Sequence, residues 1–94
     1  MRNCKTRDIA AALLKKGFEE RASHHRIFYL IVDGKISSIH TFLSHGVKEY
    51  NVDLLTKMRT QLHITGKELD DLIHCPLSGK EYVMLLVERG VLEK

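Results

Sequence analysis

The segment Ile27-Phe28-Tyr29-Leu30-Ile31-Val32, followed at once by Asp33-Gly34, constrains this chain most. Six β-branched, aromatic and aliphatic residues in a row favour an extended strand. Asp-Gly supplies two residues that tolerate positive φ, as a type I′ turn requires, and that turn twists in the same sense as the strands it joins. Lys35 to Leu43 then reads as the returning strand. Both alternating sets of side chains on residues 25 to 32 contain apolar groups, so the pattern leaves open which face is buried.

Helices are expected on both sides of this hairpin. Thr6 is placed to cap a first helix over about 7–16, with Asp8 at its positive end. Lys15 and Lys16 occupy its last turn and Gly17 its stop. Phe18 to Ala22 reads as a short first strand. Asn51 is placed to cap a second helix, along which Leu54, Leu55, Met58 and Leu62 form an apolar stripe. Thr65-Gly66-Lys67-Glu68 and Ser78-Gly79-Lys80-Glu81 are two capping boxes, each announcing a short helix. Gly90 ends the last of them, with Val91 and Leu92 placed to fold back on it. The expected class is α+β, in the order α-β-β-β-α and then two additional C-terminal helices.

Ninety-four residues without a linker or low-complexity segment make one small domain. Apolar residues are 44% and charged residues 29%, which argues against global disorder. No unbroken apolar run exceeds six residues, and a membrane helix needs roughly 20. Met1 to Lys5 lacks the apolar region of a secretory signal. Two cysteines, Cys4 and Cys75, form neither a disulfide framework nor a CxxC zinc pattern. A reduced cytoplasmic setting is the expectation.

Charge is unevenly spread. Residues 1–48 carry nine Lys/Arg against four acids, a net of +5, whereas residues 49–94 carry six against eight, a net of −2. A basic front half suits an anionic partner such as nucleic acid, although a solvated basic surface has the same composition. The final helix offers Lys80, Glu81, Glu88 and Arg89 in the acidic half, a poor set for reading DNA.

Six histidines invite a metal test. A site from His24, His40 and His45 would lack a well-placed cysteine or carboxylate, so no metal or other cofactor is expected. No GxSxG elbow and no phosphate-binding glycine loop occurs. What remains is Arg21-Ala22-Ser23-His24-His25-Arg26, two imidazoles between two guanidinium groups at the mouth of a strand. Imidazole exchanges protons near neutral pH, and guanidinium groups hold phosphate. Those are the minimum parts for cleaving RNA through its 2′-hydroxyl. A merely solvated turn has the same residue types.

Order and residues together carry a resemblance. LLKKGF (13–18) ends the first helix, Arg21 lies in the strand after it, SHH (23–25) opens the next strand, and a hairpin returns to His45. KEYNVDLLTKMRTQLHI (48–64) closes the unit. In these features the chain resembles the HicA-type toxins of prokaryotic toxin-antitoxin systems, mRNA interferases with a double-stranded-RNA-binding-like α-β-β-β-α fold. The resemblance implies a HicA-like core over 1–64 and a C-terminal helical extension over 65–94. It implies an endoribonuclease that cleaves mRNA without a metal, with His24 as the single catalytic residue and a HicB-type antitoxin as partner. Ser23 belongs to the same signature and joins the expected RNA contacts. Charge adds Lys15, Lys16, Arg21 and Arg26 for backbone phosphates, and His25 and His45 for binding or positioning RNA. Two departures stand out: Ala22 occupies the place of the signature glycine, and the proline before the second histidine is absent. Three uses are open for the apolar residues of 65–94: packing on the domain's own core, joining two copies in a homodimer, or covering the face an antitoxin would use. A non-catalytic RNA-binding module of the same fold is the alternative function.

Overall fold

The computed structural model describes residues 3–22, 25–74 and 76–92. Its elements run β1 (Cys4–Lys5), α1 (Thr6–Lys15), β2 (Phe18–Ala22), β3 (Arg26–Val32), β4 (Lys35–Leu43), β5 (Glu49–Tyr50), α2 (Val52–Gln61), α3 (Gly66–Ile73) and α4 (Gly79–Glu88). β2, β3 and β4 form a three-stranded antiparallel sheet in chain order, and β1 pairs with β5 in a separate two-stranded ribbon. The class is α+β: among the described residues, four helices and a three-stranded antiparallel sheet beside the small ribbon.

The hairpin forms where the sequence predicts it. Asp33 and Gly34 have φ of 53° and 76°, as a type I′ turn demands. Asn51 caps α2 by accepting from the Leu54 amide, and both capping boxes close with their side-chain and backbone hydrogen bonds in place. Thr6 is a correction. The position before α1 is Lys5, with no side-chain cap, and the Thr6 hydroxyl instead donates to the Val47 carbonyl at 2.9 Å. The cause is the β1–β5 ribbon, which the sequence reading did not include. Its pairing of Cys4 with Tyr50 and of Lys5 with Glu49 carries residues 47 and 48 to the helix start. There the Lys48 carbonyl also takes the Thr6 amide.

One face of the sheet carries the core. Phe18, Phe28, Leu30, Ile39 and Leu43 are buried together with apolar residues of all four helices. The open question of the hairpin's faces is thereby answered: even-numbered residues of β3 point inward. The C-terminal helices belong to this same core. Leu69, Leu72, Ile73, Tyr82 and Leu86 are all buried in it, and Val91 and Leu92 pack against it. The described residues of 65–92 therefore do not form a second hydrophobic unit.

Contacts at Tyr82, Gly79 and Arg89 show how firmly α4 is seated. The Tyr82 ring stacks on Phe18, with centroids 6.0 Å apart, and its hydroxyl donates to the Leu62 carbonyl at 2.8 Å. At Gly79 the helix start meets α1 so closely that a Cβ would lie 2.4 Å from the Lys16 carbonyl oxygen. Further along, the Arg89 guanidinium grips Glu68 through two bonds of 2.8 and 2.5 Å, tying the end of α4 to the start of α3. No helix among the described residues is long and apolar enough to cross a membrane.

Two outcomes test this packing. Gly79→Ala should cost about 1–3 kcal/mol in urea denaturation, because the new methyl group meets backbone that cannot swing aside. Glu68 is held down at about 2, from an ordinary 4.5, chiefly by its hydrogen bond to Arg89. A depressed carboxylate stabilises the fold fully above its unfolded pKa, and that contribution is lost as pH falls through the folded one. Glu68→Gln should therefore be less stable than wild type at pH 7. The gap should narrow from about pH 4.5 downward and close near pH 2.

Candidate nucleic-acid interface

Strand register decides which of the singled-out residues meet. Ala22 pairs with Arg26 at the end of β2, and Arg26 pairs with Leu43 at the end of β4. Arg21, Ala22, His25 and Arg26 and the Ser44-His45-Gly46 corner consequently share one end of the sheet. Ser23 and His24, the expected catalytic residue, lie outside the described residues.

The corner is pinned from below. Tyr50, buried at the end of the small ribbon, accepts from the Ser44 amide at 2.9 Å and donates to the Phe42 carbonyl at 3.3 Å. Gly46, at φ 80°, completes the reversal with a backbone that L side chains rarely adopt. His45 is exposed on this corner. His25 is exposed as well, and its ring meets Phe42 edge to face at 6.1 Å.

The two arginines differ. Arg26 belongs to the inner parity of β3, and its guanidinium makes two bonds to Glu20, of 2.6 and 3.1 Å, beside the ring of Phe28. The Arg26 hydrogen bond holds the Glu20 carboxyl below its ordinary range; partial burial opposes this, and the charges of Arg26 and His45 add to the lowering. Such a fork is a strong, geometrically fixed pair. Arg26 is thus largely neutralised in place, and a carboxylate stands in the middle of the basic end. Arg21 projects from the opposite face of β2 and, among the described residues, is held only by an exposed Glu19 at 3.7 Å. An exposed pair of that length is worth about 0–1 kcal/mol and yields readily to a phosphate.

Lys16 is a correction. It is 5% exposed, and its ammonium donates to the Leu77 carbonyl where the turn before α4 crosses the end of α1. It serves as an internal clamp and does not reach a surface phosphate. Lys15 is exposed and lines a cleft with Gly17, Ile31 and Lys80. That cleft lies at the start of β2, whereas the histidines lie at its far end, roughly 13 Å of strand away. Lys15 and Arg21 are therefore not parts of one compact site.

Sequence reading missed Glu20 and Tyr50. In the sequence Glu20 is one of two adjacent acids, and only the alternation of β2 separates it from Glu19. It also missed the grouping of Tyr29, His40 and Phe42 on the sheet face away from the helices. The register Tyr29↔His40 and Ile27↔Phe42 places them there. Among the described residues no three His, Cys, Asp or Glu side chains stand close enough to hold a metal ion.

Lys16→Met should destabilise the fold by about 1–3 kcal/mol, since it strips the donor from a partly buried carbonyl. Arg21→Ala should stay within about 0.5 kcal/mol of wild type. Urea denaturation of the two side by side separates the internal lysine from the surface arginine. Comparison of the chain with protein-family models, with curated proteins and with solved structures finds no match.

Proposed function

We propose that this chain is a HicA-like RNA-cleaving domain whose working end is the β2–β3 and β4–β5 end of the sheet. The observation that carries the reading is that Arg21 on β2, His25 of the SHH signature and His45 on the corner after β4 share this end of the sheet, as the strand register requires. The order α1-β2-β3-β4-α2, interrupted only by the two-residue β5 before α2, with the helices packed on one sheet face, supports a double-stranded-RNA-binding-like reading. The chemistry needs one base to take the 2′-hydroxyl proton. The 2′ oxygen then attacks phosphorus, the bond to the 5′ oxygen breaks, and that oxygen takes up a proton. His24 is the proposed base, with Arg21 on the phosphate. A HicB-type antitoxin covering this end is the partner that the reading brings with it.

A second reading rests on a specific observation. The Glu20 carboxylate sits among the basic groups, and Arg26 is committed to it. A charge arrangement of that kind serves binding better than stabilising a phosphorane, so a non-catalytic RNA-binding module is the alternative.

The deciding experiment is RNA cleavage in EDTA by wild type, His24→Ala and His25→Ala. The nuclease reading expects His24→Ala to lose about 10²–10⁴-fold in rate, as for removal of a general base. Arg21→Ala should lower affinity and flatten the salt dependence by about one ion. RNA that is bound and never cut by wild type moves the assignment to the binding module.

A further inference from the structure

Four of the six Phe and Tyr residues, Phe18, Phe28, Tyr50 and Tyr82, are buried in the core. The other two, Tyr29 and Phe42, both stand half-buried on the helix-free face of the sheet. They do not stand apart. The Tyr29 ring lies 5.5 Å from His40 at a 34° tilt, His40 lies 5.4 Å from Phe42 edge to face, and Phe42 lies 6.1 Å from His25. Four rings thus run without a gap from the middle of the sheet to its histidine-bearing end. Ile27, the cross-strand neighbour of Phe42, and Arg21 beyond it flank this row.

We propose that this face is a stacking platform for the bases of unpaired RNA, leading a single strand toward the end of the sheet where cleavage is proposed. The inference rests on the RNA reading of the preceding subsection and adds the form of RNA and the surface that takes it. Every base has a π face, so aromatic rings on a sheet hold single strands with little regard to sequence. A duplex hides those faces and offers only its backbone and groove edges. Charge favours the same occupant. Arg21, across from Ile27, stands beside the row within reach of a phosphate, held by the exposed Glu19 at 3.7 Å, which itself lies across from Tyr29. Ordinary cross-strand pairing accounts for rings within a sheet. It does not require the two aromatics left out of the core to share one exposed face with two imidazoles.

The test uses the full chain and two fluorescent probes of equal length, an unstructured oligouridylate and an RNA duplex. Tyr29→Leu and Phe42→Leu keep apolar bulk on the strands and remove the ring; circular dichroism and urea denaturation establish that each variant is folded. Wild type should bind the single strand more tightly than the duplex. Each variant should weaken single-strand binding by roughly five- to a hundredfold, leave duplex binding unchanged, and keep the salt dependence, because phosphate contacts remain. Wild-type affinity retained in both folded variants overturns the platform and leaves the RNA reading intact. Binding of neither probe by wild type overturns both. A concentration-dependent dimer that the Leu variants dissociate would instead assign the face to a second copy of the chain.

Discussion

Tyr82 is the contact on which the arrangement of this small protein depends. Its ring is fully buried and stacks on Phe18 at the start of the sheet, while its hydroxyl reaches the Leu62 carbonyl at the end of α2. A buried phenol without a partner would forfeit much of what its ring gains, so the carbonyl helps fix where α4 lies. Burial also pushes the Tyr82 hydroxyl well above its ordinary pKa, which keeps it a neutral donor. Sheet, central helix and C-terminal helix meet in this one side chain. Close approach at Gly79 and the Lys16 clamp onto Leu77 then follow from where α4 is placed.

This seating leaves the two sheet faces very different. The inner face holds Phe28 and Leu30 under the helices, together with the Arg26–Glu20 fork at its rim. The outer face holds the Tyr29–His40–Phe42 row and no helix. With Leu69, Leu72, Ile73, Tyr82 and Leu86 buried in the common core, the C-terminal helices are not a separate unit. They act instead as a brace behind the sheet. The candidate site is therefore carried by a rigid three-stranded scaffold and by a corner that Tyr50 holds from beneath.

Local chemistry made much of the fold legible. Asp33-Gly34 can hardly be anything but a tight reversal between those two strands, and Thr65…Glu68 and Ser78…Glu81 carry their own hydrogen-bond partners within four residues. The Thr6 cap failed for a matching reason. A hydroxyl at a helix start has a local option, but residues 47 and 48 arrive from more than forty positions away and take it. The candidate site was legible in part. His25, His45 and Arg21 were singled out from their types and do share one end of the sheet. Arg26 and Lys16 were singled out on charge alone, and charge does not report which partner lies within reach.

The sequence by itself determined the elements, their order and most of their ends, because turns, caps and periodicity act over three to five residues. Only the tertiary structure decided which hairpin face is buried, since both alternating sets on β3 are apolar and only the covering helices distinguish them. It alone decided that Lys16 turns inward, that Arg26 is committed to Glu20, and that Tyr29, His40 and Phe42 form one row. Each of these depends on strand register or helix docking between residues far apart in the chain. A shift of one residue in either strand would have sent the same side chains to the opposite face.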